Sequence, residues 1–353
     1  MVVENQAKWC VGSEDDKVVI RLNRNVVIIS GVVIASLVGI SIFFSSDIYQ
    51  STSQSDSVKI TMHLWPGYYH SFIAQERGFF QDEGVNVELV INENIDDSLQ
   101  YFKEGKADAA FGLQSDAMLL FAEGVPLKIV YIADFSNGGD VIVSKPDIKT
   151  IADLKGKTVS VDKLNGFNHI FLVELLRING LEESDVKIVP IIASQVPDAL
   201  EAGIIDAGQT WEPYQSRVID NGYRLLATSA ETPGIITDVL MFDSKFVEER
   251  PDDIKKILRS LDRALKYRNI DYIGSYGIMS DATGVSPSDL KRTIGGNIFP
   301  DLEENKESFT ESEKSTSLYS SGKIISDFFL DKGVISAPIN LKDLLATEII
   351  MEI

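Results

Sequence analysis

Cysteine is almost absent from this chain of 353 residues. Cys10 stands alone, which excludes an internal disulfide and any site built from several thiolates. Histidine is nearly as scarce: His63, His70 and His169 fit no tight metal spacing, and the step from His63 to His70 is the wrong interval for one helical face. Basic residues are outnumbered, 33 against 53 acidic, and the formal net charge of -20 denies nucleic acid the concentrated positive surface that phosphates need. What remains is ordinary globular composition, 44% hydrophobic and 24% charged, in a chain long enough for two medium domains with real cores. The reading calls for no metal, no cofactor and no nucleic-acid partner.

Long apolar runs are missing too, with one exception. Asn25 to Phe44 carries no charge and is about the 20 residues that a bilayer core requires. Lys17, Arg21 and Arg24 precede it and Asp47 and Asp56 follow, so the positive-inside rule puts the N-terminus in the cytoplasm and the bulk outside. The run exceeds a usual signal core, no small-residue cleavage site follows closely, and no cysteine follows for lipid attachment. An uncleaved single-pass anchor is therefore expected in the plasma membrane. The expected division is a cytoplasmic segment 1–24, an anchor 25–44, a serine-rich tether 45–57, a first lobe from 58–140 and 238–353, and a second lobe 141–237.

Beyond the tether, apolar periods alternate between two and three to four residues, the rhythm of an α/β protein. Val58 to Met62 and Val85 to Ile91 read as strands, and Leu127 to Ala133 as another, followed by a flexible polar loop Asp134 to Asp140. Thr158 to Val161 and Val186 to Ile192 repeat the pattern, Arg224 to Ala227 adds an edge, and Thr237 to Phe242 returns to the first lobe. Pro251 opens a long amphipathic helix with Ile254, Ile257, Leu258, Leu261 and Leu265 on one face. Shorter helices are expected from Pro287, near Ser315 and at Leu341, and the charged run Glu303 to Glu307 reads as solvated surface.

One pattern occurs twice. Ser98 to Ser115 and Val196 to Tyr214 both run leucine helix, glycine, two residues, Asp-Ala, then an apolar strand and a loop. In each, the glycine (Gly105, Gly203) sits where a helix C-cap takes a left-handed residue, and the strand after it is apolar enough for a buried parallel position. Two such units imply two similar lobes. Ligands of open α/β sheets sit beyond the carboxyl ends of strands, so Gln114-Ser115 and Thr210-Trp211-Glu212 become candidates for opposite walls of one cleft.

Several further stretches carry a family resemblance: Trp65-Pro66-Gly67-Tyr68 with Phe72-Ile73-Ala74 and Gly78-Phe79-Phe80, Gly84 to Leu89, and Ser136-Asn137-Gly138-Gly139-Asp140. Ile151 to Lys157, Asp206-Ala207 with Trp211-Glu212-Pro213, and Glu249-Arg250-Pro251 continue it in order. Over about residues 58 to 330 the chain resembles the nitrate/taurine family of solute-binding proteins, which includes the nitrate, alkanesulfonate and thiamine-precursor receptors of ABC importers. The resemblance implies a type II periplasmic-binding-protein fold: two Rossmann-like α/β lobes joined by two crossing strands. It also implies a small-molecule ligand and a permease and ATPase as partners; an enzyme on the same fold, as some relatives are, is the second reading and is not expected. Relatives that make the thiamine pyrimidine use a cysteine-rich motif, and the globular part of this chain has no cysteine.

The candidate ligand contacts are Trp65, Tyr68, Gln114, Ser115, Asn137, Gly138, Asn165, Asn168, His169, Thr210, Trp211 and Glu212. Trp65 and Trp211 follow strands directly and lie beside turns or charge, which favours cleft walls over core. Ser115 and the start of the helix after Asn165 can offer free amides, and neutral donors around them suit an oxyanion such as an alkanesulfonate or nitrate. A flat heterocycle, such as a thiamine-precursor pyrimidine stacked between Trp65 and Trp211, is the alternative ligand. A tethered sensory protein on the same fold is the alternative role. The topology is directly testable: protease added to intact cells should remove the mass after Ser45, and a native protein that begins near Ser46 and leaves membranes without detergent would refute the anchor.

Overall fold

A computed structural model describes residues 57–353. The run 25–44 and the segments flanking it lie outside them, and among the described residues no helix is long and apolar enough to cross a membrane.

The strands in chain order are β1 (Val58–Met62), β2 (Val87–Ile91), β3 (Ala109–Leu113), β4 (Leu127–Ser136), β5 (Asp140–Ser144), β6 (Thr158–Val161), β7 (Lys187–Pro190), β8 (Ala207–Trp211), β9 (Arg224–Thr228), β10 (Thr237–Asp243) and β11 (Asn297–Ile298). They form two sheets, ordered β2-β1-β3-β10-β4-β11 and β7-β6-β8-β5-β9. In the first, β1 pairs in parallel with β2 and β3, while β10 runs antiparallel to both β3 and β4. The second repeats the plan: β6 is parallel to β7 and β8, and β5 is antiparallel to β8 and β9. Each sheet thus receives one antiparallel strand from a connection out of the other, β5 after β4 and β10 after β9. These are the two crossings expected from the resemblance.

The local code is legible at matched points. Gly105 (φ 69°) and Gly203 (φ 70°) both adopt the left-handed conformation after their helices, as the repeated pattern requires. Each then leads into a strand of small and apolar residues, Ala109–Leu113 buried throughout and Ala207–Trp211 buried but for its last residue. Helices cover the faces, and burial of Phe111, Phe242, Phe309 and Phe329 fills the first lobe at about 2 kcal/mol or more per ring. The amphipathic helix Pro251–Ile270 lays Ile254, Ile257, Leu258, Leu261 and Leu265 inward.

Three sequence expectations need correction. The flexible loop over Asp134 to Asp140 shrinks to 137–139, because Phe135 and Asp134 pair with Thr237 and Asp238 and carry β4 on to Ser136. The charged run at 303–307 is not wholly solvated: it forms the helix Leu302–Ser308, capped by Asp301, and its Asn305 is fully buried. Asn305 Oδ1 accepts from the Ile132 amide at 2.7 Å and Nδ2 donates to the Ile132 carbonyl at 3.2 Å. Register shifts in the β4–β10 ladder bracket Val239 and Leu240, opposite Ile132 and Tyr131, and a side chain there supplies the partners that the ladder misplaces. Finally, the helix Leu318–Asp331 does more than cover the first lobe, since its Phe328 meets His169 edge-on at 5.1 Å and Lys332 at its end pairs with Glu183 of the second. Asn305→Ala should cost about 2 to 4 kcal/mol in urea unfolding, because both backbone groups of Ile132 would be stranded. Glu303→Ala on the same helix should stay within about 0.5 kcal/mol.

Candidate functional site

Strand directions fix where the site lies. β10 is antiparallel to β3 and β4 to β10, so Leu113, Asp238 and Asp134 come together at the end of the first sheet where β1 gives way to Trp65. In the second sheet Asp140 lies opposite Trp211, at the carboxyl end of β8. The link 137–139 then joins the two carboxyl ends directly.

Four expected residues gather there. Trp65, half-buried, donates from Nε1 to Asp134 Oδ2 at 3.2 Å. Tyr68 is buried, stacks on Phe111 with centroids 4.6 Å apart, and donates its hydroxyl to Asp238. Ser115, buried just beyond β3, has no hydrogen-bond partner for its hydroxyl among the described residues. Trp211, half-buried, is tilted against Phe167 at 6.5 Å on the second-lobe side.

The other candidates are engaged elsewhere. Gln114 donates to the Leu318 carbonyl and accepts from Ser321, both at 2.8 Å, which turns its amide toward the helix Leu318–Asp331. Thr210 donates to the Ala193 carbonyl at 3.1 Å, and Glu212 accepts from the Ser216 hydroxyl at 2.8 Å and its amide at 3.3 Å. Asn165, at φ 62°, donates its amide to His169 Nδ1 at 3.1 Å, and Asn168 Oδ1 accepts from the Lys163 amide at 3.3 Å. His169 Nε2 lies 3.3 Å from Glu183, while burial lowers the ring's pKa. Asn165, His169, Glu183 and Lys332 line a cavity of about 660 Å³ between the second lobe and the end of the helix Leu318–Asp331, and none of Trp65, Tyr68, Ser115 and Trp211 lines it. Asn137 is exposed, and its amide donates to the Gly296 carbonyl, while the Gly138 amide donates to Ser229 Oγ at 2.7 Å. These two residues build the crossing.

Sequence reasoning missed the carboxylates. Asp134, Asp140 and Asp238 are almost fully buried, and no lysine or arginine partners any of them among the described residues. Asp140 accepts from Ser136 at 2.7 Å and from Gln209 Nε2 at 2.9 Å, and Ser136 shares a 2.8 Å contact with Ser229. Desolvation is the first cause of every shift: Asp134 is pushed up to about 8, Asp140 and nearby Asp116 to about 6, and Asp238 upward, further raised by Asp134. His63, edge-on to Tyr68 at 5.4 Å, is lowered to about 4 by burial and is neutral. Gly67 explains the close seat of Asp134: a Cβ there would lie 1.6 Å from Asp134 Oδ2. The one available signal was the pattern Trp65-Pro66-Gly67-Tyr68, whose glycine admits a neighbour that no other residue would. Among the described residues no group of three or more potential ligands could hold a metal ion.

Two α/β lobes of matching strand order, crossed twice, have the periplasmic-binding-protein fold. The chain belongs to the NMT1/THI5-like family, whose model matches residues 65–269. It is 24% identical over 238 residues to a putative aliphatic sulfonates-binding protein of Bacillus subtilis, covering 65% of this chain and 70% of that one. It is 30% identical over 154 residues to a putative thiamine biosynthesis protein of Haemophilus influenzae, covering 43% of this chain and only 48% of the relative. The crystal structure of the periplasmic aliphatic sulphonate binding protein of Escherichia coli superposes with a TM-score of 0.66 at 17% identity, over 81% of this chain and 91% of the other, which bears on fold alone.

The carboxylates make stability depend on pH. Asp134 titrates near 3.8 when unfolded and near 8 when folded, so the folded state holds the extra proton between those values. Its contribution is complete below pH 4 and is lost as pH rises through 8. Asp134→Asn, which still accepts from Trp65, should therefore gain on the wild type by more than about 1 kcal/mol between pH 5 and pH 8. Parallel melting curves for the two proteins across that range would show the assignment to be wrong.

Proposed function

We propose that this chain is an extracytoplasmic solute-binding receptor that closes its two lobes over a small molecule and presents it to the permease and ATPase of an ABC importer, without catalysing a reaction. The carrying observation is the convergence of Trp65, Tyr68, Ser115 and Trp211 with buried polar groups where both sheets end. The sequence supports an anchor at 25–44 and a tether at 45–57 that would keep the receptor beside its transporter. Hinge closure is supported by the two narrow crossings and by Lys163 of the second lobe, which pairs with Asp96 of the first at 3.0 Å across exposed surface.

Two solute classes have support. The names of the sulfonate-binding relatives favour an alkanesulfonate, and the family resemblance read from the sequence adds nitrate as a second oxyanion. The carboxyl groups Asp134, Asp140 and Asp238 favour a nitrogen heterocycle, whose ring nitrogens accept from a protonated carboxyl and whose amino group donates to an ionised one. The tryptophans suit the flat face of such a ring.

A thermal-shift panel of alkanesulfonates, nitrate and aminopyrimidines should raise the melting temperature with at least one member, and calorimetry should give one site per chain. Trp211→Ala should weaken that binding by about 2 kcal/mol or more and abolish most of the ligand-induced change in tryptophan emission. A folded Trp211→Ala protein with normal affinity would remove Trp211 from the site.

A further inference from the structure

We propose that a cavity of about 340 Å³ on the first lobe is a second binding site, separate from the interlobe cleft, and that it takes a small organic molecule through a singly charged carboxylate held by Arg268. The cavity lies between the end of the helix Pro251–Ile270, which contributes Leu265 and Arg268, and the segment 297–304, which contributes Asn297, Phe299, Asp301 and Glu304. None of Trp65, Tyr68, Ser115 and Trp211 lines it. Asn297 pairs with Ser136 of β4, so the cavity sits beside the link 137–139.

Arg268, half-buried in this wall, lacks a counter-charge. Its Cζ lies 4.4 Å from the centre of the Phe299 ring, Nη1 is withdrawn from water with no acceptor, and no carboxylate among the described residues pairs with it. A guanidinium so placed has given up hydration without gaining a partner. Its field reaches further in. His70, buried and edge-on to the same ring at 4.9 Å, is lowered to about 3 by burial first and Arg268 second, so it is neutral and supplies no competing charge. The other charges of the wall are engaged: Lys266 donates to Asp262 at 2.7 Å, and Asp301 and Glu304 each accept from the other's amide at 3.0 Å.

The lining selects the ligand. A planar fork of N–H donors matches the two oxygens of a carboxylate, and Leu265 and Phe299 offer apolar surface to a short chain or ring attached to it. A doubly charged anion fits worse, because Asp301, Glu304 and the negative end of the helix Pro251–Ile270 share the wall. A cation would meet Arg268 itself.

Calorimetry with the full chain in detergent, at constant chloride, uses four probes: propionate, benzoate, sulfate and ethylammonium. Propionate or benzoate should bind once per chain at about millimolar affinity or tighter, and at least about tenfold more tightly than sulfate or ethylammonium. Arg268→Gln should weaken that carboxylate by about tenfold or more, with the fold checked by circular dichroism. Arg268→Lys, which keeps the charge and loses the fork, should weaken it by about threefold or more. Hydrogen exchange needs no variant: the bound carboxylate should slow exchange within 264–270 and 296–304. Protection confined to 65–69 and 207–214 would put the carboxylate in the interlobe cleft and overturn the second site, as would unchanged affinity in a folded Arg268→Gln protein. No binding of either carboxylate up to about 20 mM, or sulfate binding as tightly, would overturn the carboxylate as its ligand.

Discussion

The ladder that β10 makes between β3 and β4 is the constraint on which the rest depends. It completes the first sheet only after the chain has left to build the second. Because it enters antiparallel, its first residues lie at the end of the sheet where the parallel strands finish, and the crossing it completes brings the second sheet to that same end. Asp238 reaches Tyr68 for this reason, and Asp134 stands beside Asp238 in register. A sheet built only from consecutive strands would leave that end open to water, and a carboxylate there would titrate normally.

Burial gives the polar floor its character. Removing three carboxyl groups from water without a cation is expensive, and the structure moderates the cost with hydroxyls and amides: Tyr68 for Asp238, Trp65 for Asp134, Ser136 and Gln209 for Asp140. Each of these donors can also donate to the carbonyl oxygen of a neutral acid. The site therefore tolerates both protonation states, which a lysine or arginine partner would not allow, and the state adopted depends on what approaches it.

The fold was largely legible because it rests on local signals. Alternating apolar residues marked the strands, and glycines at 105 and 203 marked the helix ends with left-handed backbone. The site was legible only in part. Trp65, Tyr68, Ser115 and Trp211 lie at or just beyond strand ends, a placement that chain order alone announces. Chain order does not announce Asp134, Asp140 and Asp238: an aspartate in sequence reads as surface, and only pairing between strands distant in the chain buries it. Gln114, Asn168, His169 and Glu212 bond to neighbouring protein groups that their sequence positions do not announce. Amides, imidazoles and carboxylates bond whatever lies nearest, and the nearest group is set by packing of helices that sequence places only roughly. Asn305 shows the same limit, hidden in a charged run yet bonded to the middle of a strand.

The link at 137–139 is pinned from the first lobe. The Gly296 carbonyl accepts from both Asn137 and Gly139, and a Cβ on Gly296 would lie 2.6 Å from the Gly139 Cα, so two bare backbones lie in contact at this point. Such a contact behaves as a fulcrum close to the carboxylate floor. In the receptor reading proposed above, a rotation about it would displace nearby atoms little and distant atoms much, so Asp134 and Asp140 would keep their spacing while Asp96 and Lys163 part. Recognition would then be separated from the moving lip, the floor being set before the lobes meet and the lip governing how long a solute stays.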